Sequence, residues 1–186
     1  VSNSEASSAQ ANSAQAGSVQ TAPSEPAPAQ QAPNDGIDEL QQLLAGMTLE
    51  EKVSQLRYDA PAVKRLGIPS YNWWNEALHG VARAGAATVF PQAIGLAAMF
   101  DEALLEKIGD VTALEGRAKY NEAVKNEDRG LYKGITFWSP NINIFRDPRW
   151  GRGHETYGED PCLTGRMGTA YIKGLQGNGK LSLIHI

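Results

Sequence analysis

The alternation of apolar and polar positions divides the chain into short helical and extended stretches. Ile37, Leu40, Leu43 and Leu44 fall on one helical face, and Gly46 is a natural stop. Thr48 and Glu51 have the T-x-x-E spacing of a capping box, with Leu49, Val53 and Leu56 following at helical intervals. RLGIPSYNWWNEALHG then reads as a turn, a short strand from Ile68 to Trp73, and a loop. ATVFP (Ala87 to Pro91) predicts a second strand ended by proline. Asp101 is the expected cap of a long helix whose buried stripe is Leu104, Leu105, Ile108 and Val111. After a polar connection, ITFWSPNINIF predicts a third strand. Asp160 as cap and Pro161 at the first helical position open the last helix, with Leu163, Met167, Ala170 and Tyr171 on its buried face and Gly174 and Gly177 marking its end.

Strand, loop and helix recur three times, which predicts an α/β fold of parallel βα units. The chemically informative residues all follow the strands: Trp73, Trp74, Glu76 and His79 after the first, Pro91 after the second, Trp138 and a charged loop after the third. In a (β/α) barrel such loops share the face that carries chemistry.

Composition restricts where this fold begins. Residues 1–36 hold no Lys, Arg, aromatic, Leu or Ile and are rich in Ala, Ser, Gln and Pro. Such a segment buries too little apolar surface to offset chain entropy, so it is expected to be a disordered leader. Its composition resembles the tether behind a bacterial export signal or lipid-anchored cysteine. It predicts a periplasmic or cell-surface protein, the leader being either a lipid tether or a spacer. The net charge of −4 and the lack of a basic stripe argue against nucleic acid. No apolar run approaches the roughly 20 residues of a membrane helix. Cys162, alone in the chain, has no intrachain disulfide partner and reads as a small helical residue.

Two loops carry candidate chemistry. In RDPRWGRGHETYGEDP (residues 146–161), Pro148 forbids a regular helix through Arg146, Arg149 and Arg152. Arg146 and Arg149 are expected to pin the loop to Asp147, Glu155, Glu159 or Asp160. Arg152 lies between Gly151 and Gly153, whose small size admits a ligand, and it is the better candidate for gripping adjacent hydroxyls or a carboxylate. In NWWNEALHG the paired tryptophans read as core, yet Asn72 and Asn75 bracket them; an indole beside amide and carboxylate groups is how proteins hold a pyranose. Glu76 is either a hydroxyl acceptor or a helix-terminal carboxylate. Sharper motifs fail: Thr156 breaks G-x-G-x-x-G, and Glu76 with His79 lacks the second histidine of H-E-x-x-H. No tight spacing makes a metal site of His79 and His154.

YNWWNEALHGV, ATVFPQAIGLAA, NINIFRDPRWGRGHETYGEDP and GTAYIKGLQG resemble the N-terminal region of glycoside hydrolase family 3, over about residues 37–177. The W-W-x-E-A-L-H-G form looks like the β-xylosidase branch. The resemblance implies a (β/α)8 barrel domain, here about three βα units, and a retaining exo-glycosidase that releases terminal β-linked xylose from oligosaccharides without a cofactor. Arg152 matches the family arginine that holds sugar hydroxyls, Glu76 the acidic residue on the distal hydroxyls, and Trp74 and Trp138 the aromatic walls. Many glucosidases carry Asp at the Glu76 position; the longer Glu reaches into the space of a hydroxymethyl group and favours a pentose.

No residue matches the family's nucleophile or acid/base, and residues 178–186 depart from its pattern, so the 186-residue chain by itself is expected to be inactive and poorly soluble. Three alternatives remain open: β-glucosidase, a non-catalytic carbohydrate-binding module, and an anion-binding protein.

Overall fold

The computed structural model describes residues 35–177. The expected leader of residues 1–36 and the expected atypical tail of residues 178–186 lie outside them, apart from Asp35 and Gly36, which already belong to the first helix.

Local signals build the helices. Helix α1 spans Asp35–Gly46 and α2 spans Leu49–Ser54. Both halves of the capping box form: the Thr48 amide donates to Glu51 Oε2 at 2.8 Å, and the Glu51 amide to Thr48 Oγ1 at 3.2 Å. Arg65 forks onto the same carboxylate, and its hydrogen bond holds Glu51 below the usual carboxylate range. A five-residue helix, α3 (Ala93–Ala97), follows the second apolar run. Helix α4 spans Glu102–Lys125, with Asp101 accepting from the Leu104 amide at 2.9 Å; α5 spans Pro161–Gln176, capped likewise by Asp160.

The expected parallel strands do not form ladders. Among the described residues the only named strands are β1 (Asp59–Ala60) and β2 (Tyr71–Asn72), paired antiparallel with Asp59 opposite Asn72 and Ala60 opposite Tyr71. The runs at 87–91 and 135–145 form no strand, apart from one parallel bridge between Asn75 and Phe137. Side chains replace the missing backbone bonds. Tyr71 Oη meets Thr136 Oγ1 at 2.8 Å and accepts from the amides of Ile135 and Thr136. The buried Asn75 amide donates to the Asn72 and Thr136 carbonyls and accepts from the Gly134 amide at 2.8 Å. The first and third extended segments therefore run side by side, as the βα reading requires, with a polar seam where the ladder was expected.

The core lies where α4 and α5 pack on this seam. Leu105 and Ile108 are buried, but Leu104 and Val111, expected in the same stripe, are exposed. The buried residues of α4 are instead mostly small: Gly109 and Thr112 meet α5, while Gly116 takes the ring of Phe137. Without a large side chain to raise the hydrophobic signal, that face is hard to read from periodicity. A Cβ on Gly174 would sit 2.1 Å from the Glu106 carbonyl oxygen, and one on Gly109 2.6 Å from that of Tyr171. The apolar stripes of α1 and α2 are solvent-facing: Ile37, Leu40, Leu49, Val53 and Leu56 are all exposed.

Two glycines of α5 should respond to alanine in opposite senses. Gly174→Ala forces the helices apart and is expected to destabilise by about 1–3 kcal/mol or more. Gly165, whose added Cβ meets nothing within 4 Å, gains about 0.5–1 kcal/mol from Gly165→Ala. Thermal unfolding of the two variants checks the contrast.

Candidate functional site

Glu76 is aimed by the residues on either side of it. Trp138 donates its amide to the Asn75 carbonyl at 3.0 Å, fixing the backbone before Glu76. After it, the Ala77 amide donates to Ser139 Oγ at 3.2 Å, and the Ala77 carbonyl accepts from the Tyr171 hydroxyl of α5. Asn75 and Ala77 are both buried, so in an extended segment the intervening side chain emerges on the opposite face. The Tyr171 hydroxyl is deeply buried, and burial pushes its pKa above the ordinary phenol value, so it remains a donor.

On that face lies a cleft of about 370 Å³, within the ~300–1,000 Å³ range of small-molecule sites. Trp74, Glu76, Trp138 and Arg152 all line it, with Leu78, Arg83 and Glu155. The two loops singled out in the sequence thus meet in one concave site. Trp74 and Trp138 stack on each other, centroids 5.5 Å apart and planes inclined by 23°, so they form one aromatic wall where two were expected. Tyr58 closes edge-on against Trp74 at 5.8 Å. The paired tryptophans that read as core are not buried: Trp73 is 39% and Trp74 40% exposed, and Trp138 is more exposed still.

The charges alternate around the cleft. Glu76 Oε2 accepts from Arg83 Nη1 at 3.0 Å, and Oε1 accepts from Trp74 Nε1 at 3.3 Å. Arg152 forks onto Glu155 Oε2 through Nε, at 2.8 Å, and through Nη2. That bond, chiefly, raises the Arg152 pKa above its ordinary value, and the negative charge of Glu76 adds to the effect. Arg152 is therefore a fixed cation whose Nη1 has no partner among the described residues.

Of the two arginines expected to pin the loop, only Arg149 does so: it pairs with Asp147, holding that carboxyl below the usual range, whereas Arg146 makes no ion pair among the described residues. Gly153 has a purpose other than ligand access. Its added Cβ would come within 2.3 Å of the Phe145 ring, so the residue is small because Phe145 packs on it; Gly151, next to open space, stays free for close approach. His79 is tied to the Phe90 carbonyl through Nδ1 at 2.8 Å and faces Gln92 through Nε2. Gly80, in the left-handed region at φ +109°, lets the chain turn back there: any Cβ would collide with the Thr88 carbonyl at 2.2 Å.

Arg83 and Glu155 are the site residues that motif reading passed over as ligand-site components. Glu155 has a signal, its i+3 spacing from Arg152. Arg83 has none, because the turn at Gly80 brings it back to Glu76.

Comparison with known proteins follows the same residues. The family model described as the glycosyl hydrolase family 3 N-terminal domain matches residues 40–185. A probable β-D-xylosidase 7 of Arabidopsis thaliana is 51% identical over 148 residues, which cover 74% of this chain and 18% of the relative. A xylan 1,4-β-xylosidase of Xylanibacter ruminicola is 50% identical over 138 residues, covering 73% of this chain and 16% of the relative. The chain thus spans less than a fifth of the length of either relative. Among solved structures, a GH3 exo-β-xylosidase in complex with a xylobiose aziridine probe matches with TM-score 0.63 and 37% identity, over 75% of this chain and 18% of that one. A β-glucosidase of Streptomyces venezuelae in complex with D-glucose matches with TM-score 0.59 and 32% identity, over 74% of this chain and 17% of that one.

Replacing Tyr171 by Phe removes one oxygen atom and leaves the Ala77 carbonyl buried without that donor. The expected cost is about 1–3 kcal/mol in stability, read as a lowered unfolding temperature, together with a changed near-UV circular dichroism from the Trp74–Trp138 stack as the segment beside it relaxes.

Proposed function

This chain belongs to glycosyl hydrolase family 3, whose N-terminal domain is a TIM-barrel-type fold, and from that premise we propose that the whole protein is a retaining exo-β-xylosidase acting on xylo-oligosaccharides. The observation that carries the reading is the single cleft shared by Glu76, Arg152, Trp74 and Trp138. A xylopyranose ring lies with its C–H face on the indole wall. Its hydroxyls donate to the Glu76 carboxylate and accept from the Arg152 guanidinium. A carboxylate has about four lone-pair sites, and Arg83 and Trp74 occupy two of those on Glu76, leaving acceptors for the sugar.

Binding of this kind orients the anomeric carbon but does not cleave the bond. Retention requires a nucleophilic carboxylate and an acid/base about 5–5.5 Å apart, and neither role is assigned to a residue of this chain. The described residues are read as the first part of the barrel, about three βα units. The apolar stripes left exposed on α1 and α2 are read as faces that the remainder of the protein covers. Composition alone supports export to the periplasm or cell surface, with residues 1–36 as the tether or spacer. Among the described residues no helix is long and apolar enough to cross a membrane.

β-Glucosidase is the second reading, favoured by the 32% identity to the enzyme seen with D-glucose. The length of Glu76 separates the two. In the full-length enzyme, Glu76→Asp withdraws the carboxylate by one methylene and opens room for a hydroxymethyl group. The xyloside-to-glucoside ratio of kcat/KM is expected to fall at least about tenfold, the usual worth of one methylene in a shaped pocket. An unchanged ratio contradicts the steric account of pentose preference.

A further inference from the structure

We propose that Arg83 is the positioning residue for Glu76: it locks the carboxylate in the rotamer that meets the sugar, and so sets the discrimination between xylose and glucose. The inference rests on the sugar-binding reading of the cleft and goes beyond it by assigning a role to a residue outside the two motif loops.

Four residues close a circuit around the carboxylate. Trp74 Nε1 donates to Glu76 Oε1, and Arg83 Nη1 donates to Glu76 Oε2 at 3.0 Å. The Arg83 guanidinium lies 4.9 Å from the centre of the Tyr132 ring. The Tyr132 amide donates back to the Trp74 carbonyl at 3.1 Å. Trp74, Glu76 and Arg83 lie within ten residues of one another, but Tyr132 comes from a distant part of the chain, so the circuit does not follow from local geometry alone. Arg83 is itself carried on a single turn of 3-10 helix, Ala82–Ala84, anchored at its end by Lys119 Nζ on the Ala84 carbonyl at 3.3 Å.

The physical need for such a clamp is plain. The terminal torsion of a glutamate is broad and roughly two-fold, so a free carboxylate samples many orientations. A steric argument based on one extra methylene fails if that methylene can swing aside. The ion pair is exposed, its side chains 64% and 27% accessible, and such pairs add little to stability. Its value lies in orientation: a cation stacked on an aromatic face is held in place, and it holds the carboxylate in turn. Arginine suits this better than lysine, because its planar fork can stack and donate at once.

The test is a double-mutant cycle in the full-length enzyme, with aryl xyloside and aryl glucoside as paired substrates. Arg83→Met keeps an apolar stem on Tyr132 and removes the donor. It is expected to lower kcat/KM on the xyloside about tenfold, the glucoside falling less, so that the selectivity ratio narrows. In a Glu76→Gln background the same substitution should add less than about a twofold loss, because the carboxylate it positions is gone. Arg83→Lys should recover part of the selectivity. A purely structural arginine would lower the unfolding temperature and leave the ratio unmoved; that result, or equal losses in both backgrounds, overturns the proposal. If Glu76→Gln reduces xyloside turnover while Arg83→Met does not, this inference fails and the sugar site stands. If Glu76→Gln itself has no effect, the sugar site falls and the inference with it.

Discussion

Ala77 has almost no side chain, yet the site depends on how its peptide groups are held. Its amide is bound to Ser139 and its carbonyl to the hydroxyl of Tyr171, in surroundings where neither group reaches water. A buried backbone group left unpaired costs far more than a made hydrogen bond gains, so both partners are obligatory. The consequence for Glu76 is directional. With Asn75 and Ala77 turned inward and clamped, the residue between them must point out into the cleft. Helix α5, in the core, thereby positions a carboxylate on the surface. The Gly109–Gly174 contact extends the same dependence: the helices approach closely enough for Tyr171 to reach Ala77 only because no Cβ stands between them.

The electrostatics of the cleft are organised as two opposed pairs, Arg83 with Glu76 and Arg152 with Glu155. In the proposed sugar site each pair would contain one group that meets the ligand, Glu76 or Arg152, and one that restrains it. Near-neutral pairs suit an uncharged sugar: no unbalanced charge has to be desolvated when the ring displaces water, and each group keeps unused hydrogen-bonding capacity. A site built for a phosphate or other anion would instead gather unpaired cations, and both cleft arginines are already matched to carboxylates. This arrangement weighs against the anion-binding alternative that the three arginines of the loop had left open.

Much of this was legible in the residues, and what was not has a common cause. Caps are local, so Thr48, Asp101 and Asp160 could be read directly, as could most of the inner face of α5; Gly174, expected at the end of that helix, is instead buried inside it. Of the three expected strands only the first holds a strand, Tyr71–Asn72, and the third a single parallel bridge at Phe137. A ladder is a property of two strands, and here Tyr71, Asn75 and Ser139 side chains do the stitching. The stripe of α4 was misjudged at Leu104 and Val111 because a helix face that packs through Gly, Ala and Thr has a weak hydrophobic signal. Gly153 was read as room for a ligand when it is room for Phe145. The four candidate residues were legible because aromatic, charged and amide side chains side by side are anomalous for a core. Arg83 carried no such anomaly; only the turn at Gly80 reveals where it goes.

The central claim is that one guanidinium and one carboxylate, delivered by two loops, grip a single sugar ring against stacked indoles. A crystal structure of the full-length protein soaked with xylose tests it most directly. The account predicts one xylopyranose with hydroxyls bonded to both Glu76 and Arg152 and its C–H face on the Trp74–Trp138 wall. A xylose bound elsewhere, or one held by only one of the two charged residues while the other faces solvent, would contradict it.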